Sequence, residues 1–233
     1  IIKKECPHGI KHDNLSSLSG KRVAVDASLI IYQQLLSHKL LKNNKGEITN
    51  HITGLFYKLV NYLSHNIELV FVFDGRPPEL KQECIKERRK KLDDAKEKMD
   101  TCENIEEKNE LEKSTLRLTW DMVDNVKKLL SHMGVSYIHM EVGEGEAIAA
   151  ELCRIGYVDY VLTEDMDTLV GGCPRLIRSC TDKSVKRKDI VSILYHEEIL
   201  KGLGLTEDQF IKYCILCGCD YCSNIPKVGN IMA

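Results

Sequence analysis

Two pairs of acidic residues flank one predicted α/β unit in the middle of this sequence. Glu144 and Glu146 form a Glu-x-Glu ahead of an amphipathic helix, and Asp165 and Asp167 form an Asp-x-Asp just after an apolar strand. Because the helix and the strand are adjacent, the pairs would place four carboxylates in one small volume, where repulsion opposes full ionisation unless cations lie between them. The spacing predicts a site for a hard divalent metal ion.

Three more acidic residues stand where predicted strands or helices end. Asp26 ends an apolar strand, Asp74 follows a second one, and Asp220 comes just after a helix that ends near Gly218. Any one of these alone is more often a solvated charge or a helix cap than a functional group. Seven such residues at one edge favour Mg²⁺, and two ions about 4 Å apart can activate a water for phosphodiester hydrolysis.

The elements that would position these carboxylates alternate between strands and helices. The predicted strands are 22–26, 68–73, 135–139, 158–162, 175–179 and 190–194. The predicted helices are 29–41, one from about Thr49, 120–133, 147–155, and one from Thr206. Ser28 would cap the first helix, and Thr206 and Gln209 form a capping box for the last. The inner face of the helix from Thr49 is predicted to consist of Ile52, Leu55, Phe56, Leu59, Val60 and Leu63. This alternation predicts an α/β fold with a mainly parallel central sheet, helices on both faces and ligands at the carboxyl ends of the strands.

Residues 79–118 differ in character from the rest of the chain. They contain no glycine or proline and are very rich in charge. A helix with so little apolar surface cannot join a core, so this segment is expected to project from the body of the protein.

Size and composition exclude several classes of protein. A chain of 233 residues with 43% apolar content can bury one substantial α/β core, and it has no apolar run of membrane-spanning length, which predicts a soluble globular protein. The net charge of −2 argues against a uniformly basic nucleic-acid binder but not against separate acidic and basic faces. Ten irregularly spaced cysteines indicate reduced thiols in a nuclear or cytoplasmic protein.

Two motifs have alternative interpretations. The first is a C-x-x-C-x-C-x-x-C run that could bind zinc or an iron-sulfur cluster and consists of Cys214, Cys217, Cys219 and Cys222. Cys214 shares an apolar helix face with Ile211 and Ile215, which favours a buried thiol. The second is the Asp-x-Asp after a strand, which is also found in aspartate-dependent phosphatases, but that interpretation leaves the two glutamates unexplained.

Six segments, in this order, resemble successive blocks of the flap endonuclease family, the structure-specific 5′ nucleases related to the XPG repair nuclease. The segments are VAVDASLIIYQ, GEITNHITGLFYKL, FVFDGRPPELK, GEGEAIAAEL, LTEDMDTLV and ILCGCDYCSNI. The resemblance runs from about residue 18 to 224. It implies one 5′ nuclease catalytic domain across 1–233 with a PIN-like fold, a helical arch inserted at about 79–118, and the start of a helix-two-turn-helix DNA-binding element at about 220–233.

The resemblance also implies roles for particular residues. The metal carboxylates would be Asp26, Asp74, Glu144, Glu146, Asp165, Asp167 and Asp220, of which Asp74 and Glu146 would also count as catalytic. Lys81 and Arg88 would be the catalytic cations of the arch, and their spacing of two helical turns puts them on one face. Without the resemblance, an ordinary salt-bridged helix is the simpler interpretation.

Five further positions match family contacts to DNA. They are Tyr32, Thr49, Lys58, Arg178 and Gly229, with Tyr32 expected to stack on a base beside the cut. By pattern alone Tyr32 suits a core, Thr49 a helix cap, and the two basic residues the surface. The sequence departs from the family in the DNA-binding turn, which contains one glycine fewer, and in a short loop at 41–46 beside the expected pocket for a 3′ flap.

The implied function is a 5′ flap endonuclease, with 5′ exonuclease activity, that acts in DNA replication or repair. The implied cofactors are two Mg²⁺ ions, for which Mn²⁺ can substitute, and K⁺ near 220–233. The implied partners are branched or flapped DNA and a sliding clamp bound through a C-terminal tail, with no membrane and a monomeric protein. The alternatives are a 5′ exonuclease or a Holliday-junction resolvase of the same superfamily, and a non-catalytic DNA-structure binder.

Overall fold

A seven-stranded sheet forms the centre of the described part of the chain. The computed structural model describes residues 2–36, 40–102, 104, 111, 115–179, 189–222 and 225–226. The strands are β1 Ile10–Asn14, β2 Arg22–Asp26, β3 Glu68–Phe73, β4 Ser136–His139, β5 Tyr160–Leu162, β6 Arg175–Ser179 and β7 Ile190–Tyr195. Their order across the sheet is β1-β7-β6-β5-β2-β3-β4.

The sheet is mainly parallel, as the alternation of elements predicts. Strands β4, β3, β2, β5 and β6 pair in parallel, whereas β7 is antiparallel to both β6 and β1. The parallel strands all end at one edge, so side chains that follow them lie close together. The central strands β2 and β3 are almost completely buried, which explains their nearly continuous apolar sequences.

Helices cover both faces of this sheet. The described helices are α1 Ile2–Glu5, α2 Ala27–Leu35, α3 Asn50–Ser64, α4 Gln82–Thr101, α5 Trp120–His132, α6 Gly145–Arg154, α7 Asp167–Val170, α8 His196–Leu203 and α9 Glu207–Cys217. Val23 and Val25 of β2 face a core formed with α2, α3 and α5, and Ala24 between them faces a second core formed with α6, α8 and α9. Alternate residues of one strand thus anchor two layers of helices.

Several predicted elements differ in extent from those observed. The polar segment 10–14 forms the edge strand β1, and its three central side chains are exposed, so no apolar pattern marked it. Helix α2 begins at Ala27 with Asp26 rather than Ser28 as its N-cap, and it ends at Leu35, so the expected extension to residue 41 is wrong. Residues 37–39 lie outside the described part of the chain.

The buried face of α3 is narrower than predicted. Leu55, Leu59 and Tyr62 are buried, but Phe56, Val60 and Leu63 are exposed. One stripe of the helix faces α2 and β3, and the neighbouring stripe turns to solvent. The apolar count of α3 therefore overestimates how much of it is buried.

Candidate metal and phosphate site

The acidic residues of the site start from the carboxyl ends of adjacent strands. Asp26 is the last residue of β2, Asp74 follows β3, and Asp165 lies three residues after β5. Strand β2 pairs in parallel with both β3 and β5. The sheet therefore delivers these three side chains to one edge.

Asp26 is the most buried of these acids, with only 7% of its surface exposed. Its carboxylate accepts hydrogen bonds from the backbone N–H of Leu29, at 3.1 Å, and from the Thr163 hydroxyl, at 3.0 Å. Burial raises the pKa of Asp26 to about 6, and the charges of Asp74 and Asp165 add to this shift against the effect of the two hydrogen bonds. A cation at this edge would therefore stabilise the ionised form.

Asp74 fixes the N-terminus of α6. Its Oδ1 accepts a hydrogen bond from the backbone N–H of Gly145 at 2.6 Å. A Cβ atom at position 145 would lie 2.9 Å from the carbonyl oxygen of Val72 and 3.1 Å from Asp74 Oδ1. The glycine between the two glutamates is thus what allows α6 to approach β3 and bring Glu144 and Glu146 to the site.

Glu146 lies in the first turn of α6, within reach of several other negative charges. Burial, together with the charges of Asp165, Glu144 and Asp26, raises the pKa of Glu146 to about 8 against the opposing charge of Lys81. The acids that act on Glu146 are Asp26 at the end of β2, Asp165 after β5, and Glu144 at the N-cap of α6. These interactions indicate that the carboxylates lie close together.

Asp165 and Asp167 are organised by a local turn. Asp165 donates its backbone N–H to the Thr163 hydroxyl, and its own side chain accepts the backbone N–H of Asp167, both at 3.0 Å. Burial, followed by the charges of Asp165 and Asp220, raises the pKa of Asp167. The Asp-x-Asp is therefore a capped turn directed toward the other acids.

Residues 79–101, the described start of the segment predicted to form an arch and called the arch below, contribute the positive charges of the site. The Lys81 ammonium contacts both Glu144 and Asp220, at 3.2 Å to the latter. Arg88, two turns further along α4, donates to both oxygens of Asp220 at 2.9 and 2.7 Å. Burial alone raises the pKa of Asp220, but hydrogen bonds from Cys84 and Lys81 and the charge of Arg88 lower it overall.

The donor set suits a hard cation. It consists of carboxylate oxygens whose ionisation is penalised by burial and by one another, and Lys81 already acts as a cation between Glu144 and Asp220. Among the residues that the structure describes, no three histidine, cysteine or acidic side chains are spaced to coordinate a single ion. Coordination would therefore require side-chain rotations and a new partner for Lys81.

The predicted DNA contacts occupy different environments. Tyr32 lines a cavity of about 600 Å³ between the body and α4, together with Arg88, Lys91 and Arg117. Thr49 precedes α3 without capping it, and its hydroxyl donates to the Leu41 carbonyl at 3.4 Å. Gly229 lies outside the described residues, as does most of the predicted 220–233 element.

Two predicted basic contacts are linked to Glu164 instead of being free surface charges. Burial lowers the pKa of Lys58, which lines a small cleft with Asp26 and Glu164. Arg178 donates to Glu164 at 3.3 Å and to the Met166 sulfur at 3.0 Å. Glu164 thus connects both basic residues to the Asp-x-Asp turn.

Sequence reasoning missed three other groups at the site. The Tyr221 hydroxyl donates to Glu144, and the Lys81 ammonium lies 5.6 Å from the centre of the Tyr221 ring. Thr163 joins Asp26 to the backbone of Asp165, and Cys84 donates to Asp220 at 3.3 Å. Thr163 and Tyr221 lie close in sequence to candidate metal carboxylates, and Cys84 lies between the candidate cations Lys81 and Arg88, so proximity in sequence to these residues was the available signal.

Cys214, from the four-cysteine run, packs against the second core beside Phe210. Cys214 is only partly buried, less than the interpretation as a buried thiol predicts. No described helix combines the length and the apolar character needed to cross a membrane.

Comparison with known proteins matches both halves of the chain to one family. The model of the XPG N-terminal domain matches residues 1–95, and that of the XPG I-region matches 134–220. Flap endonuclease 1 of Lodderomyces elongisporus is 39% identical over 241 residues, which cover 100% of this chain. The chain spans only 62% of the length of that relative.

Solved structures with the same fold include two at more than 30% identity. Flap endonuclease-1 from Methanococcus jannaschii is 34% identical, with a TM-score of 0.71 over 95% of this chain and 72% of its own. The catalytic core of Rad2 in complex with DNA substrate is 31% identical, with a TM-score of 0.73 over 98% of this chain and 64% of its own.

Proposed function

Because this chain belongs to the XPG and flap endonuclease family, we propose that it is a metal-dependent nuclease that cuts branched DNA at 5′ flaps. The observation that carries the proposal is that the carboxylates of the body lie opposite the positive charges of the arch. Burial and the charges of Asp165, Glu144 and Asp26 raise the pKa of Glu146. Lys81 and Arg88 of the arch lie opposite, with Lys81 paired to Glu144 and both paired to Asp220. Such a site can bind both divalent cations and a phosphodiester.

The proposed metal ligands are seven carboxylates. They are Asp26, Asp74, Glu144, Glu146, Asp165, Asp167 and Asp220. Two Mg²⁺ ions, or Mn²⁺ in their place, would supply Lewis-acid activation of a water and neutralisation of the leaving oxygen. Asp26 and Asp74 are the most firmly fixed of the seven, because Leu29, Thr163 and Gly145 hold their oxygens in place.

Lys81 and Arg88 are proposed to bind the scissile phosphate. Both now bind carboxylates, and a phosphodiester offers the same kind of oxygen acceptor, so DNA can replace Asp220 as their partner. A single nitrogen of Arg88, Nη2, donates to both oxygens of Asp220, and a guanidinium fork can also donate to two oxygens of a phosphate. Held there, the two cations offset charge that develops during the reaction.

The remaining contacts follow the path of the DNA. The cavity beside Tyr32 lies under α4 and is bordered by Arg88, Lys91 and Arg117, which suits an unpaired base next to a phosphate backbone. Thr49, Lys58, Arg178 and Gly229 are proposed as further contacts, with Lys58 and Arg178 released from Glu164 on binding. We also propose one catalytic domain across 1–233, a K⁺ site near 220–233, a sliding-clamp contact, and action inside the cell in replication or repair.

A single-turnover comparison of substrates tests this function. The protein is mixed with Mg²⁺ and with an end-labelled 5′ flap, a nicked duplex or a four-way junction. The flap should be cut fastest, at or next to its junction with the duplex, and a chelator should stop the reaction. Preferential cutting of the four-way junction would instead indicate a resolvase, and tight flap binding without cutting in Mg²⁺ would indicate a non-catalytic binder.

A matched variant serves as the control for these assays. Asp208 is an exposed carboxylate in the first turn of α9, paired only with Lys212 among the contacts found for it. Asp208→Asn removes one negative charge without touching the site. Its cleavage rate should equal that of the unaltered protein.

A further inference from the structure

Cys219 and Cys222 lie at the two ends of a four-residue turn whose side chains contact both the arch and the body. The sulfur atoms of Cys219 and Cys222 lie 3.4 Å apart, and their backbones form an isolated antiparallel bridge. Cys222 is exposed and Cys219 partly buried. Between them in sequence stand only Asp220 and Tyr221.

Both enclosed residues make the contacts that join the two sides of the site. Asp220 accepts from Lys81, Arg88 and Cys84, all of the arch segment. Tyr221 donates to Glu144 of the body. A change in this four-residue turn would thus act on the arch cations and on an acidic residue of the site together.

We propose that Cys219 and Cys222 are a modification site, a dithiol that small disulfides oxidise reversibly to an intramolecular disulfide. A disulfide needs a sulfur separation of roughly 2 Å and close Cβ atoms, so a bridged pair of cysteines three residues apart is well placed to close. In a reducing compartment such a bond is transient and responds to oxidants. Its effect on activity rests on the proposed nuclease function.

The chemistry is thiol-disulfide exchange with a small disulfide as the oxidant. The thiolate of the exposed Cys222 attacks one sulfur of the reagent, forms a mixed disulfide and releases one small thiolate. The thiolate of Cys219 then attacks the Cys222 sulfur and releases the second. The two protons lost by the cysteines are taken up by the two released thiolates, so the protein loses two electrons and the reagent gains two.

Access distinguishes this pair from the other close thiols. A cleft of about 320 Å³ opens between α4 and the turn, and Cys84, Cys219 and Cys222 line it. Cys153 in α6 and Cys173 just after α7 also interact, but both are buried, so no reagent reaches them without unfolding. The cleft therefore exposes the 219–222 pair, with Cys84 as its competing partner.

Mass spectrometry of the oxidised protein tests the assignment. The reduced protein is treated with bis(2-hydroxyethyl) disulfide, its remaining thiols are alkylated, and the peptides are fragmented. We expect a peptide lighter by two hydrogen atoms, with no fragmentation between positions 219 and 222. It should form equally in Cys84→Ser and Cys217→Ser and be absent in Cys219→Ser.

Two results would overturn the site. One is recovery of Cys219 and Cys222 as separately alkylated or separately mixed-disulfide residues after other exposed thiols have reacted. The other is a cross-link from either cysteine to Cys84 or Cys217 in place of the expected bond. Because these readouts do not use DNA cleavage, they are independent of the proposed nuclease activity.

A second measurement tests the consequence of oxidation. The ratio of cleavage rates before and after oxidation should be about tenfold or more, since the bond displaces charged hydrogen-bond partners of the site. A thiol reductant should restore the rate, and Cys219→Ser should show a ratio near one. An unchanged rate in fully cross-linked protein would refute the coupling, whereas absence of cleavage in the reduced protein would refute the nuclease function and leave the thiol result standing.

Discussion

The body side and the arch side of the site are held in place by different forces. Asp26 and Asp74 extend from strands packed on both faces, and backbone N–H groups fix their oxygens. Helix α4 is the opposite case. Among its residues 82–99 and 101, which the structure describes with their side chains, none is buried. Its described links to the acids of the site run through Lys81, Cys84 and Arg88.

The acids of the body are held in fixed positions, whereas the cations of the arch can exchange one anionic partner for another. Burial fixes the body acids and raises the pKa values of Asp26 and Glu146, so these groups are prepared for cations at a cost in stability. The arch cations are held by ion pairs that another anion can replace. Variants on the body side should therefore affect chemistry and stability, and variants on the arch side should affect phosphate binding and arch position.

The largest effect is expected from Asp165→Ala on the body side. This residue both supplies a carboxylate and accepts the backbone N–H of Asp167. Loss of outer partners of a metal ligand costs about 10- to 100-fold, so loss of a ligand itself should cost more than about 100-fold in single-turnover flap cleavage. Flap binding measured by fluorescence anisotropy should persist, because the arch is intact. Cleavage equal to that of Asp208→Asn would contradict the assignment.

The next effect tests the arch with Lys81→Met. Removing one preorganised charge that stabilises the transition state typically costs about 100- to 1,000-fold in rate. The single-turnover rate should fall by this factor, whereas the dissociation constant for the flap should change by only a few-fold. Lys98→Met, on the exposed last turn of α4, is the matched control and should keep the full rate. A loss confined to binding would assign Lys81 to holding DNA and not to the chemistry.

The body side could be predicted from sequence to a greater extent than the arch side. Strands such as 68–73 have continuous apolar sequences, and a residue at the carboxyl end of a parallel strand must lie at one edge of the sheet. The convergence of Asp26, Asp74 and Asp165 therefore follows from local patterns. Strand β1 was missed because its exposed polar side chains have no periodicity, and helix α8 was not marked by the motifs.

The contacts of the arch could not be predicted in the same way. Lys81 and Asp220 are 139 positions apart in sequence, and no periodicity relates them. Their pairing depends on how α4 lies against the turn at 219–222, which is a property of the assembled fold. Likewise, the sequence offered a zinc or iron-sulfur site and a buried thiol as interpretations of the run that contains these two cysteines, and only the distance between their sulfur atoms identified the pair.

A moderate effect on stability is expected from Glu146→Gln with a chelator present. The pKa of Glu146 is raised from 4.5 to about 8 in the folded protein, so the folded state binds more protons than the unfolded state between these values. The free energy of unfolding should therefore fall as pH rises from about 4.5 to 8, and no penalty remains below that window. Glu146→Gln should reduce this slope and stabilise the protein at pH 8 by on the order of a few kcal/mol.

Urea unfolding at several pH values measures this effect. Glu151→Gln is the control on the same helix, because Glu151 is exposed and pairs with Arg154 away from the site. Arg154 lowers the pKa of Glu151, so Glu151 stays ionised as Glu146 titrates at higher pH, and the slope there should match that of the unaltered protein. An unchanged slope in Glu146→Gln would mean that folding does not penalise the ionised form of Glu146.

The smallest effect should come from Asp220→Asn, which breaks the link between the two sides. Neutral Asn loses the charge that attracts Lys81 and Arg88. The pair with Arg88, whose side chain is 60% exposed, is worth at most about 1 kcal/mol, and Lys81 keeps its contact with Glu144. Hydrogen exchange should become several-fold faster in the first turns of α4, while β2 and β3 exchange as before, because their protection comes from burial. Glu97→Gln, near the other end of α4 and away from that turn, should leave exchange in the first turns of α4 unchanged. Equal acceleration in strands and arch would mean that Asp220 supports the whole fold, and the two sides would then not be separable.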